Sequence, residues 1–242
     1  MNKFKHIHLS TRYDRSTDVL RRVVASYIRN GASVITFTEV DSEKREKVLR
    51  QFEGWGFVAG DKTGRDDCAV IWNEEEWTLL HKETRNVAKY MAGNIGAAYV
   101  VLEHKDTGKA IVVSVVHLPS AVEGNGRVSG GRAAEWFLAR RNWVKRAREL
   151  RKRFGAKSLM LVADWNLDLK KKWVRALIKA QHPRFKWLWK NWPVVGTHGN
   201  RLIDFTLIKG GLRMVKHPEI HGMTRASDHR AYEETLAFNL MK

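Results

Sequence analysis

The sequence is short of several things, and each shortage excludes something. Cys68 is the only cysteine among 242 residues, which rules out an intrachain disulfide and any zinc site built from cysteines. Four prolines do not make a Pro-rich linker, and no repeat of solenoid period is visible. No stretch approaches the roughly 20 apolar residues of a membrane-spanning helix. Met1–Ser10 is basic but lacks the apolar run of a secretory signal. These absences predict a soluble, cytoplasmic protein. A hydrophobic content of 43% predicts a folded chain, and the length is most simply one domain, residues 1–242.

Acidic residues are also scarce. Against 44 Lys and Arg stand 26 Asp and Glu, a formal charge of +18. Such an excess repels itself and attracts polyanions. Nucleic acid is the first expected partner, DNA ahead of RNA. An anionic membrane surface comes second, and a basic but inert surface is the plain alternative. Arg140–Lys157 holds nine Lys and Arg, and Lys170–Lys190 holds eight. A charge run is usually a solvated face, yet these runs suit phosphate contacts. Trp187, Trp189 and Trp192 lie beside the second run. They could stack on bases, although tryptophans near apolar runs more often pack in a core or at its rim.

The elements follow from periodicity. Lys3–Leu9 alternates loosely as a first strand. Ser16-Thr17-Asp18 offers an N-cap, and Val19, Leu20, Val23, Val24, Tyr27 and Ile28 follow at helical spacing up to Gly31. Ser33–Phe37 reads as a buried strand ending in Thr38-Glu39. A charged helix is expected from Asp41-Ser42 to Phe52. Phe57–Ala59 and Cys68–Trp72 read as strands around a polar loop with Gly60, Gly64, Arg65, Asp66 and Asp67. Trp77–Leu80 and Val87–Met91 are two weaker strands. Tyr99–Glu103 and Ala110–Val116 form a hairpin across Asp106-Thr107-Gly108. A glycine-rich loop, Gly124–Gly131, precedes a long helix over Arg132–Phe154. Ser158–Val162 is a strand, and a basic helix spans Asp168–Ala180, with Asp168 as its cap. Leu202–Ile208, Met214–Ile220 and Ala231–Phe238 complete the strands.

Three apolar runs end in polar groups that suit phosphate chemistry, Glu39, His117 and Asp164 with Asn166, and Asp204 stands within Leu202–Ile208. Ser227-Asp228-His229 follows. Phosphodiester hydrolysis needs a cation against the phosphate oxygens, a base for the water and a donor toward the phosphate. Glu39 and Asp228 are candidate ligands for a hard divalent ion. His229 is the candidate base, with Asp204 to orient its other ring nitrogen. Asn166 and His117 can donate to phosphate oxygens, and Asp164 can assist. Arg127 and Arg132, in and after the glycine-rich loop, can reach phosphate. Each has a plain alternative: Glu39 a loop carboxylate, Asp164 and Asn166 a helix cap, His117 a turn residue, Asp204 a partner of Arg201. His6, His8, His81, His104, His182 and His217 need no role, while His198 and His221 are possible additions.

Together, Thr38-Glu39-Val40, Val116-His117-Leu118, Ala163-Asp164-Trp165-Asn166, Leu202-Ile203-Asp204-Phe205 and Ser227-Asp228-His229 resemble the motifs of the endonuclease/exonuclease/phosphatase superfamily, the deoxyribonuclease-I-like fold. The resemblance spans nearly the whole chain and rests on five motifs in order. It implies an α/β fold, a four-layer α/β sandwich of two packed mixed β-sheets flanked by helices, and cleavage of phosphoesters with Mg²⁺ or Mn²⁺. By motif, Glu39 resembles the metal carboxylate and His117 the histidine of the deoxyribonuclease branch. Asp204 resembles the partner of the catalytic histidine. Two positions depart: the first strand ends in Ser10-Thr11 where the family has asparagine, so Ser10 is the candidate substitute, and Ala163 stands where glycine is common. The leading expectation is a nuclease. The alternatives are a phosphatase acting on a phosphorylated small molecule or phosphoinositide, and a non-catalytic basic nucleic-acid-binding protein.

Overall fold

The computed structural model describes residues 3–11, 16–59, 67–90, 93–124, 126–189, 196–221 and 227–239. The chain runs β1 (Lys3–Ser10), α1 (Thr17–Arg29), β2 (Val34–Thr38), α2 (Glu43–Arg50), β3 (Trp55–Ala59), β4 (Ala69–Asn73), β5 (Trp77–Tyr90), β6 (Gly93–His104) and β7 (Lys109–His117). It continues with β8 (Glu123–Gly124), β9 (Arg127–Val128), α3 (Ala133–Arg153), β10 (Ser158–Asp164), α4 (Lys172–Gln181), β11 (Lys186–Trp187), β12 (Asp204–Gly210), β13 (Leu212–Ile220) and β14 (Tyr232–Phe238). One six-stranded sheet has the order β13-β14-β1-β2-β4-β3, the other β11-β12-β10-β7-β6-β5. Both are mixed: β1 and β2 are parallel, as are β7 and β10, and the other neighbours are antiparallel. The sheets pack face to face with helices outside, an α/β sandwich of four layers.

Local chemistry explains the helices. The Ser16 hydroxyl accepts from the Asp18 N–H, and Leu20, Val24 and Tyr27 bury one face of α1. Gly31 follows at φ +80°, a conformation that favours glycine. Ser42 caps α2. Along α3, Trp136, Ala139, Trp143, Ala147 and Leu150 recur at three- and four-residue spacing and are all fully buried. Large buried aromatics each contribute a few kcal/mol by area. Their indole N–H groups are used: Trp143 donates to Ser114 Oγ at 2.6 Å, Trp136 to the Trp165 carbonyl at 3.0 Å, and Trp165 to the Phe205 carbonyl at 2.9 Å.

Three expectations change, and the core reading of Trp189 holds. Trp77–Leu80 and Val87–Met91 are not separate strands: one strand, β5, runs through the polar residues between them to Tyr90. It is an edge strand with two register shifts, so polar side chains face solvent or the helix layer, where Arg146 donates to Glu83 at 2.7 Å. The glycine-rich stretch holds a small hairpin, β8 with β9. α4 begins at Lys172 after Lys171, and Asp168 does not cap it. Its carboxylate instead accepts the N–H groups of Lys170 at 3.1 Å and Leu202 at 3.0 Å, tying two loops together. Trp189 is 1% exposed and packs on Tyr232 and His217, the core alternative to base stacking. Trp192, Met91, and Gly60, Gly64, Arg65 and Asp66 of the polar loop lie outside the described residues. Among the described residues, no helix is long and apolar enough to cross a membrane.

Candidate active site

The strand pairings bring the predicted residues to one edge. In the first sheet Ser10 pairs with Thr38 across the parallel β1–β2 register, and Glu39 follows. In the second sheet Asp164 pairs with His117 on one side and with Asp204 on the other. Residues directly opposite in neighbouring strands lie close enough for their side chains to interact. Contacts between the two halves then close the site. The Tyr232 and Thr206 hydroxyls hydrogen-bond at 2.9 Å, His8 Nε2 lies 3.5 Å from Asp204 Oδ1, and Asp67 reaches His117 at 2.7 Å.

His229 Nδ1 and Asp204 Oδ2 are 2.7 Å apart, with His229 7% and Asp204 1% exposed. Burial disfavours charge on both. The mutual attraction prevails, so the Asp204 carboxyl sits well below its ordinary range and His229 is raised to about 10, helped by Asp164 and Glu39. The alternative pairing of Asp204 with Arg201 is not formed. Arg201 donates to Glu123 at 2.8 Å.

Asp164 is 3% exposed. Burial, then the neighbouring Asp204 charge, push it up to about 7, against the pull of His117, His229 and the Asn166 N–H. That N–H donates to Asp164 Oδ1 at 2.8 Å, and the Asn166 side-chain amide donates to the Leu118 carbonyl at 2.8 Å. Asn166 stands at φ +52°, a left-handed turn that asparagine tolerates through such local bonds. His117 sits between Asp67 and Asp164, the latter 3.5 Å from its Nε2. Burial opposes its charge, but Asp67, Asp164 and Glu39 raise it to about 10.

Glu39 is partly buried at φ +63°. Ser10 Oγ donates to its Oε2 at 2.9 Å, and Arg45 donates to its carbonyl at 3.2 Å. Its charge is felt at both His117 and His229. Asp228 stands toward solvent at 40% side-chain exposure, 3.7 Å from His198 Nε2. The His198 and His229 rings lie 4.7 Å apart. Arg132 donates to Ser120 at 3.3 Å, just beyond His117, and Arg127 is exposed on β9. His221 is not near this group. It packs on Tyr27 and lies 3.4 Å from Glu233.

Several contributors carried no signal in the sequence. His8 shares Thr36 Oγ1 with His6, each at 2.9 Å, and His6 reaches the buried Glu234 at 2.9 Å. Burial holds His6 down at about 3 and Glu234 up at about 8, a neutral pair behind the dyad. Thr197 accepts the N–H groups of Ile203 and Asp204 through its hydroxyl, at 3.2 and 3.0 Å. Asp67, three residues after Gly64 and beside Asp66 in a polar loop, gave only its charge as a hint.

Asp164, Asp204 and His229 present ligand atoms all within 4.8 Å of one another. Asp204 Oδ1 is buried with no hydrogen-bond partner. These donors fit a divalent cation, and Glu39 adds a carboxylate from the opposite sheet. The cluster and the dyad compete for the same atoms. The 2.7 Å bond commits His229 Nδ1 to Asp204 and leaves Nε2 for other work.

No protein-family model matches this sequence, and no curated protein matches it significantly. Solved structures do match. The endonuclease/exonuclease/phosphatase from Bacteroides vulgatus superposes with a TM-score of 0.75 at 15% identity, covering 99% of this chain and 100% of that one. The chain has the endonuclease/exonuclease/phosphatase fold. Two further structures of this fold are similar. One is the Bacteroides thetaiotaomicron mannosyl-6-phosphatase, with TM-score 0.72, 12% identity and 97% and 100% of the two chains covered. The other is D. rerio TDP2 complexed with a single strand DNA product, with TM-score 0.69, 11% identity and 98% and 99% covered.

Proposed function

We propose that residues 1–242 form one domain of a metal-dependent phosphodiesterase, a nuclease that hydrolyses DNA. The observation that carries this reading is the buried His229–Asp204 bond beside Asp164, with Glu39 arriving from the other sheet. Asp204 accepts a hydrogen bond from His229 Nδ1–H and so sets the tautomer, which leaves Nε2 as the atom that accepts a proton from the attacking water. Asn166 spends one amide N–H on Leu118 and has a second for a phosphate oxygen. His117 is held as a cation and offers its proton-bearing Nε2 to the same phosphate, while Ser10 fixes the Glu39 carboxylate.

Asp164 of the buried cluster, with Glu39 and with Asp228 as the motif resemblance implies, would hold the ion. A bound Mg²⁺ or Mn²⁺ would neutralise the phosphate's non-bridging oxygens and the leaving oxygen, and would offset the acidic charges that otherwise keep His229 protonated. The charge of +18 favours a polyanionic substrate, and Arg127 and Arg132 are the arginines we assign to it. The TDP2 structure with a DNA product supports nucleic acid. The mannosyl-6-phosphatase keeps a phosphatase reading in view, although a small soluble substrate gives the large positive charge no task.

The test is supercoiled plasmid incubated with the protein and Mg²⁺, with and without chelator, beside His229→Ala. Nicking that needs both the ion and His229 supports the nuclease. Phosphate release from a phosphorylated sugar or lipid headgroup with the plasmid intact supports the phosphatase. Tight, salt-sensitive binding without either reaction supports a non-catalytic binder.

A further inference from the structure

Positive charge also gathers far from this site. Asp204 is the only acidic residue between Leu169 and Pro218. It begins β12, and Lys209 stands five residues further along the same strand. At about 3.3 Å per residue the two are roughly 17 Å apart. Around Lys209 lie Arg148 and Arg151, from the second half of α3, and Arg184, just after α4. Burial, then these three charges, depress the lysine below its ordinary value. Lys186, on the neighbouring strand, pairs opposite Ile208 and so lies on the other face of the sheet from Lys209.

A buried ring lies beneath. Arg148 Cζ and Lys209 Nζ each lie 5.6 Å from the centroid of the buried Phe185 ring. His182 packs edge-on against that ring at 5.4 Å and is bonded to Arg140 at 2.9 Å. Among the described residues no carboxylate pairs with Arg148, Arg151, Arg184 or Lys209. Glu149, the nearest acid along α3, is bonded to Arg146 at 3.1 Å. Arg148 and Arg184 are exposed.

Like charges gathered around one buried ring repel one another until a polyanion offsets them. We propose that Arg148, Arg151, Arg184 and Lys209 form a second nucleic-acid contact, which binds the phosphodiester backbone at the end of β12 opposite the catalytic residues. Guanidinium and ammonium groups without neighbouring amides suit phosphate oxygens and give no base readout. A bilayer fits less well. Among the described residues, the exposed large apolar ones, Leu79, Leu80 and Leu138, belong to β5 and the first half of α3 and not to the patch, which gives it none of them to insert. The proposal takes its ligand from the nuclease reading but not its chemistry.

The test is binding of a long single-stranded DNA in chelator, where no cleavage occurs. R148Q/R184Q/K209Q is compared with wild type and with R22Q/R29Q/K44Q, which removes the same charge from the helices of the first sheet. Single strands lose about 0.7 in log–log salt slope per phosphate contact, so the patch variant should lose about 2 in slope and bind at least tenfold more weakly near 0.1 M salt. The control should stay within about threefold, and turnover of bis(p-nitrophenyl) phosphate should be unchanged in both. R184E alone, at an exposed turn, gives a smaller loss in the same direction and guards against misfolding of the triple. Equal losses in patch and control variants would overturn the proposal. So would unchanged DNA binding, or a patch variant that loses only phosphatidylserine-vesicle binding. Because the readout is binding, a protein that proves inactive on plasmid leaves the proposal standing, and a failed patch leaves the nuclease standing.

Discussion

Asp164→Asn should make the metal-free protein more stable while abolishing its activity. Asp164 is 3% exposed, and its folded pKa of about 7 lies above the ordinary 3.8. A rise of that size corresponds to roughly 4 kcal/mol against folding once the group must ionise. Relaxation and water entry reduce this, so about 1–3 kcal/mol is the expected gain. Asparagine keeps an oxygen for the Asn166 N–H and presents an amide rather than a charge to Asp204. The sign carries a pH signature. A folded pKa above the unfolded one means the penalty is absent below pH 3.8, grows as the carboxyl ionises and is complete above about pH 7. Urea unfolding in chelator at pH 4 and pH 8 measures it. Wild type and variant should match at the lower pH and separate at the higher, and added Mn²⁺ should raise only wild type. A variant less stable than wild type at pH 8 in chelator would refute the claim that this carboxylate is held at a cost a cation relieves.

Further outcomes follow from the same geometry. His229→Ala should lower plasmid cleavage by about 10² to 10⁴, the usual worth of a positioned base; a loss under threefold removes His229 from the chemistry. Glu39→Ala should shift the Mg²⁺ requirement to higher concentration with little change in DNA affinity, so parallel loss of both counts against its role. His117 is raised from 6.5 to about 10, so its pairing with Asp67 contributes fully below pH 6.5 and is lost as pH rises through about 10. Melting temperatures across that range should therefore converge for wild type and Asp67→Asn, and a constant gap would contradict the pairing. Thr197→Val strands two backbone N–H groups at the start of β12 and should cost about 1–3 kcal/mol in denaturant unfolding. An unchanged midpoint would mean water replaces the hydroxyl.

Much of the fold was legible because its signals are local. Apolar runs ending in Glu39, His117 and Asp164 marked strands whose ends carry chemistry, and Ser16, Ser42 and Gly31 marked helix ends. What failed depended on neighbours. The polar middle of β5 is tolerated because only one side of that strand is paired, and Asp168 serves the Leu202 amide rather than the helix beside it. In the site, motif order pointed to His229 and Asp204. Nothing local placed His8 behind Asp204 or Asp67 against His117.

By itself, then, the sequence determined which residues could ionise, which runs would be buried, and that the chain carries a large positive charge. These properties depend on composition and on periods of a few residues. Only the tertiary structure decided protonation and placement. It set His117 and His229 toward the charged form, Asp164 toward the neutral one, and gathered Arg148, Arg184 and Lys209 around one ring. A pKa and an electrostatic patch depend on burial and on charges a few ångströms away in space, and those neighbours come from strands and helices distant along the chain.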